Sequence, residues 1–176
     1  MQNIKDVPSG ETRVSKAEIG TLTQIESLVE TVSDELFTKE DGGATIGKHL
    51  RHTLDHFGAL LDGEMNDAEI AYDRRERGGS VESDRGEALK RATSLRERLE
   101  SMDDVQLSWP VKISVMVCAD EDEVQMESTV CRELAFVCHH AMHHLAMIKT
   151  IATNAGVELP AEFGRAPSTV SHDRNC

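Results

Sequence analysis

The chain has 176 residues, the size of one ordinary domain with one core, and carries a formal net charge of −13 from 32 acidic and 19 basic residues. No long Lys/Arg run offsets that charge, so binding to a phosphate backbone is unfavourable and nucleic acid is not an expected partner; one Trp, one Tyr and four Phe also leave few platforms for stacking bases or sugars. The opening stretch MQNIKDVPSGETR lacks the apolar core of a signal peptide, and no run reaches the length of a bilayer span, so the expectation is a cytoplasmic protein with no membrane partner.

In chain order, residues 1–14 read as an extended head. A first helix is expected to start at Ser15, whose hydroxyl caps the backbone while Glu18 reaches back in an S-x-x-E box. Ile19, Leu22, Ile25, Val29, Val32 and Leu36 then recur at three- and four-residue steps along one face, and Gly42 and Gly43 end the segment. A second helix opens near Thr45 and ends around Asp62 and Gly63, with Ile46, Leu50, Leu54, Phe57 and Leu61 on its inner stripe. The polar stretch GEMNDAEIAYDRRERGGSVES has no sustained period and reads as a long ordered loop carrying Arg74, Arg75 and Arg77. Those arginines suit either an anionic substrate or, in so acidic a chain, local carboxylates.

A third helix follows a cap at Ser83, with Leu89, Ala92, Leu95, Leu99 and Met102 on its apolar face, and Pro110 marks the break after it. Alternation at Val111, Ile113, Val115 and Val117, and again at Val124, Met126, Ser128 and Val130, predicts a β-hairpin. The fourth helix runs from about Val130 to Asn154 and closes at Gly156. Residues 157–176 read as a loop-rich tail without periodic pattern. The pattern as a whole predicts one helical-bundle domain over residues 1–176. Cys118, Cys131, Cys138 and Cys176 show no C-x-x-C spacing and read as mostly buried, reduced thiols.

Seven of the eight histidines fall in two segments, GKHLRHTLDHF and FVCHHAMHHLAMI, both on predicted helices. Histidines at i, i+4 stack on one helical face and can converge on one ion. On the fourth helix the core face is set by Leu134, Val137, Cys138, Ala141, Leu145 and Ile148; His144 lies roughly 80° and His140 roughly 120° from its centre, against about 140° and 180° for His139 and His143. The inner pair is therefore His140 and His144. On the second helix His49, His52 and His56 share one flank of the apolar stripe, and helical geometry alone does not choose among them. The i, i+4 pair His52 and His56 would also permit a four-ligand site.

The segments IGKHLRHTLDHF and FVCHHAMHHLAMI, separated by two further elements, resemble the DinB-like superfamily. The resemblance implies a four-helix bundle with a small β-hairpin between helices three and four, often a homodimer. It makes His52 the ligand from the second helix, with the Asp55 carboxylate three residues on to support it, and matches His140 and His144 to the H-x-x-x-H of the last; at a site of this kind Asp55 or His56 would orient a ligand or act as a base. The chain departs from the family pattern at His139, where Asn is common, and at Leu145, Ala146 and Met147, where a more polar run is frequent. A divalent ion on three neutral imidazoles, zinc or nickel first and iron next, keeps its full charge and an open position for chemistry. Two enzymatic readings follow, hydrolysis of a small molecule by metal-activated water and transfer to a low-molecular-weight thiol. A non-catalytic dimeric helical module is the third. His172 has no partner spacing and reads as a surface residue.

Overall fold

The computed structural model describes residues 9–62, 65, 68–74, 78–119 and 122–175. The four expected long helices are α1 (Gly10–Thr31), α3 (Ile46–Leu61), α4 (Arg85–Glu100) and α6 (Val130–Asn154), with α2 (Asp34–Thr38), α5 (Asp104–Leu107) and α7 (Pro167–Arg174) as short additions. Helix α1 packs against α4 and α6, and α3 packs against the same two, so the four long helices form a closed ring around one core. Leu22, Ile25, Leu50, Leu54, Leu95 and Leu145 are each at most 1% exposed and fill its centre.

Helix α1 starts five residues earlier than Ser15 because Ser9 caps it, accepting from Thr12 N at 3.1 Å. The expected capping box at Ser15 and Glu18 is therefore corrected, and Glu18, one turn further in, is wholly buried. Nor does one helix run on to Leu36. Val32 turns extended, Ser33 accepts from Leu36 N at 3.2 Å, and a fresh helix begins that still carries Leu36 and Phe37 into the core. Helix α3 opens on Thr45, which accepts from Lys48 N at 2.9 Å, and closes at Asp62. Its Gly47 is a steric requirement: a Cβ there would meet the Glu82 carbonyl oxygen at 2.0 Å, so only glycine lets the N-terminus of α3 lie against the 3-10 turn Ser80–Glu82.

Asp84, not Ser83, caps α4, accepting from Glu87 N at 3.1 Å. Asp103 and Gln106 form a reciprocal capping box on α5, which fills the gap before Pro110. Strands β2 (Pro110–Val115) and β3 (Val124–Thr129) form the expected hairpin, with Pro110 opposite Thr129 and Val115 opposite Val124. The expected loop also holds a strand, β1 (Glu69–Ala71), which pairs parallel to β2 with Ile70 opposite Ile113. Its period was invisible because three residues are too few to alternate.

Helix α6 begins directly at the end of β3, capped by Thr129, and closes as expected before Gly156, whose φ of 81° only glycine adopts readily. The tail is corrected from loop to helix in part: Pro167 opens α7, and ion pairs Arg174–Glu162, at 2.7 Å, and Arg165–Asp173 tie it down. Lys149 Nζ donates to the carbonyls of Ala161 at 2.8 Å and Phe163 at 3.2 Å, which fixes the approach to that helix. The cysteines are not mostly buried, since Cys118 is exposed and Cys131 and Cys138 are half-buried; all three are free thiols, and Cys176 lies outside the described residues. Among the described residues no helix is long and apolar enough to cross a membrane.

Glu18 carries the main cost in this packing. Neither carboxylate oxygen meets a hydrogen-bond partner, and burial pushes its pKa up from 4.5 to about 8, with the Cys138 thiol pulling it partly back. Arg13 on its own helix and Cys138 and His139 on α6 are the other titratable groups around the cleft it faces. Because the folded-state value lies above the unfolded one, this group costs nothing below about pH 4.5 and progressively destabilises the fold as pH rises to about 8. Glu18→Gln removes that dependence: melting curves of the variant and the parent chain should coincide near pH 4.5, with the variant higher by on the order of 5–10 °C at pH 9. A gap independent of pH would contradict a buried, protonated Glu18.

Candidate metal centre

Helices α3 and α6 face each other across one edge of the ring, and each contributes histidines to the seam. His52 of α3 and His140 of α6 meet with their Nε2 atoms 3.0 Å apart. His144, one turn beyond His140, packs edge-on against both, at ring-centroid distances of 4.6 Å to His52 and 4.6 Å to His140. One nitrogen from each of the three lies within 4.8 Å of the others, and all three rings are half-buried. His139 and His143 are exposed, as the helical angles predict.

The donor set suits a divalent ion. Zinc–imidazole bonds of about 2.0–2.1 Å in a tetrahedral arrangement put neighbouring ligand nitrogens roughly 3.3 Å apart, close to the spacing of the His52 and His140 Nε2 atoms. Burial, followed by the neighbouring imidazoles His140 and His49, lowers the His144 pKa from 6.5 to about 4. His144 is therefore neutral at pH 7 and has a lone pair to offer.

Two further histidines surround the triad. His49 Nδ1 and His144 Nδ1 share a hydrogen bond of 3.0 Å, which commits that nitrogen of His144 and leaves its Nε2 to serve the triad. Burial lowers the His49 pKa, and proximity to His143 lowers it further, in the same direction as for His144. His56 Nδ1 donates to the His52 carbonyl oxygen at 2.9 Å, which fixes its tautomer and leaves Nε2 as the basic nitrogen. Its ring stacks on His140, with centroids 4.1 Å apart, and on Tyr72 at 5.2 Å.

Asp55 is held by Arg51 Nη1 at 2.7 Å, while Arg51 Nε takes Glu82 at 2.8 Å. Those ion pairs fasten the middle of α3 to the 3-10 turn. Arg74 pairs with Glu123 at 2.6 Å and is 3.6 Å from Glu69, the local-carboxylate arrangement; Arg75 and Arg77 lie outside the described residues. His172 is on the exposed α7.

The sequence reading missed Tyr72 and Glu133. Tyr72 follows β1 directly and donates from its hydroxyl to Glu133 Oε2 at 2.9 Å, while Ser128 Oγ and Arg132 Nη1 each reach Glu133 Oε1 at 2.6 Å. These three donors compensate a fully buried carboxylate at the start of α6. Burial and the adjacent Glu133 push the Tyr72 phenol far above its ordinary value, so it stays a neutral donor. Tyr72 links the sheet to His56 and so to the triad. Phe136, 39% exposed, stacks on His140 with centroids 6.1 Å apart and is covered by Arg132 at 5.8 Å, forming a rim beside the histidines.

The sequence pattern of the DinB superfamily matches residues 20–148, which span α1 to α6 and include all three histidines of the triad. The chain belongs to the DinB superfamily. Its fold is similar to that of YfiT from Bacillus subtilis, described as "a probable metal-dependent hydrolase with an unusual four-helix bundle topology", at a TM-score of 0.58 and 17% identity over 90% of this chain and 95% of that one. A likeness at that identity speaks for the fold, a four-helix bundle. The chain is also 36% identical over 104 residues to FK506-binding protein 5 of Rhizopus delemar; the match takes in 58% of this chain but only 27% of that relative's length.

The His49–His144 hydrogen bond yields a direct test. Replacing His49 by Ala frees His144 to rotate while leaving all three triad residues in place. Zinc affinity, read by competition with a chromophoric chelator, should fall about 10–100-fold with one-to-one stoichiometry retained. Unchanged affinity would show that His49 does not orient the site.

Proposed function

We propose that this DinB-superfamily chain is a metal-dependent enzyme of hydrolase type acting on a small molecule, with His52, His140 and His144 as the ligands of one divalent ion. The observation that carries the reading is the convergence of three imidazoles, from two helices, in a half-buried seam. A structural site closes its coordination sphere with four protein ligands, whereas three protein ligands leave one position open. A divalent ion held there supplies a Lewis acid able to acidify a water molecule or polarise a substrate bond. Zinc and nickel suit the imidazole set, with iron next. The negative charge of the chain favours collecting a cation.

The surrounding residues take defined parts in this reading. His49 orients His144 through Nδ1. His56 is the candidate base, because its Nδ1 proton is committed to the His52 carbonyl and its Nε2 keeps the lone pair. Asp55 holds Arg51, which bridges to Glu82 and so steadies the position of α3. Phe136 supplies an apolar wall for the substrate body, with Arg132 over it for an anionic group. One domain over residues 1–176, assembled as a cytoplasmic homodimer, completes the proposal.

Protein purified without a metal-binding tag should contain about one divalent ion per chain by elemental analysis. His52→Ala and His144→Ala should each lose it while keeping the helical circular-dichroism signal, and a chelator should abolish turnover in an ester and amide screen. Full metal content in both variants would overturn the ligand assignment. In the cobalt-substituted protein, a thiol-to-cobalt charge-transfer band on adding a low-molecular-weight thiol would move the reading from hydrolase to thiol transferase. Chelator-insensitive stability without turnover would favour the non-catalytic module.

A further inference from the structure

The three-stranded sheet carries its charge on one face. Glu69, Lys112 and Glu127, the charged residues of the three strands, form a single cross-strand row. Side chains alternate along a strand, so Ile70, Ile113 and Met126 make the adjacent row on the opposite face, with Val115 and Val124 beyond it. Glu133 shows where that apolar face points. Ser128, two residues along from Met126, and Tyr72, two along from Ile70, both donate to its carboxylate. The apolar face is therefore the one turned towards α6 and the histidine seam, where Tyr72 stacks on His56 and lies 5.4 Å from Phe136 between ring centroids.

Burial falls away across this face. Ile70 and Ile113 are 2% and 3% exposed, whereas Val124 is 41% and Met126 48% exposed. The edge strand thus carries the apolar face out beyond the cover of the helices. Core packing does not require Val and Met at exposed positions, and grouped exposed apolar side chains mark a binding surface. Two observations choose the occupant. A second copy is disfavoured, because two chains of net charge −13 repel each other. A small-molecule tail is favoured, because the face is continuous with Tyr72 and so with His56 at the edge of the triad.

We propose that Val115, Val124 and Met126, together with Phe136, hold an uncharged apolar tail of the substrate whose scissile group lies at the histidine triad. The inference rests on the hydrolase reading above and names its substrate class, esters or amides of medium-chain acids. Neighbouring strands lie about 4.8 Å apart, so the face extends roughly 10 Å from β1 to β3, the reach of an extended chain of about eight carbons. Each methylene covered along that path adds to binding, so selectivity rises with chain length up to the sheet edge. The strand charges all lie on the other face and take no part.

The test compares p-nitrophenyl acetate with p-nitrophenyl octanoate on the zinc-loaded full chain, each ester and one water giving the carboxylic acid and p-nitrophenol. kcat/KM for the octanoate should exceed that for the acetate about tenfold or more, through a lower KM. Met126→Asp and Val124→Asp should each cut the octanoate-to-acetate ratio about fivefold or more, with zinc content and the helical circular-dichroism signal unchanged, while Met126→Leu keeps the ratio. A ratio near one, or a ratio that both Asp variants retain, would overturn the proposal and leave the hydrolase reading in place. Binding separates the two failures. Methyl octyl ketone, which is neutral and cannot be hydrolysed, is titrated into the metal-free chain and should shift the NMR resonance of the Met126 methyl group. If neither ester turns over, the hydrolase reading fails and this titration decides: a saturating shift sustains the face as a site for apolar tails, and no shift overturns it. A dimer of the parent chain that Met126→Asp converts to a monomer would also overturn it, by assigning the face to a second copy.

Discussion

Everything that distinguishes this bundle follows from the apposition of α3 and α6 at a seam lined with imidazoles. Packing two helices normally buries apolar side chains; here His49, His52 and His56 face His140 and His144 instead. Such rings can share a half-buried seam only when neutral, since charging several of them within a few ångströms would be opposed by both desolvation and mutual repulsion. The low pKa of His144 is the expression of that constraint. Neutral imidazoles with tautomers fixed by neighbours are also what a divalent cation requires, so the condition for packing and the condition for binding coincide.

The rest of the structure holds that seam in register. Gly47 lets the start of α3 lie against the 3-10 turn, and Arg51 bridges Asp55 to Glu82 along the same contact. On the other side, the sheet delivers Tyr72 onto His56 and Glu133, so the position of α6 relative to α3 is fixed through a hydrogen-bonded network as well as through the core. The same helix α6 then presents its opposite flank to α1, where Glu18 lies fully buried beside the Cys138 thiol.

Much of this was legible in the sequence. The long helices follow from three- and four-residue apolar steps, Thr45 and Gly156 marked their ends correctly, and helical angle alone separated His140 and His144 from His139 and His143. The choice of His52 over His49 and His56 came from family resemblance, because all three share one flank and only the packing of α6 distinguishes them. Glu18 shows why the remainder was hidden. S-x-x-E is a valid capping signature, but Ser9 supplied an earlier cap, and the glutamate became an interior residue. Tyr72 was missed because β1 exists only by pairing with a strand some 40 residues away, as Ile70 opposite Ile113 shows. The helix at Pro167 was missed because ion pairs with residues outside it stabilise it, which periodicity does not register.

The central claim is that one ion sits between α3 and α6 on His52, His140 and His144. Anomalous diffraction at the zinc or nickel edge from crystals of tag-free protein tests it most directly. The account predicts one strong peak per chain, about 2.0–2.1 Å from a nitrogen of each of the three rings, with a further position open to solvent. A peak elsewhere, or one bonded to His49 or His56 in place of His52, would contradict it.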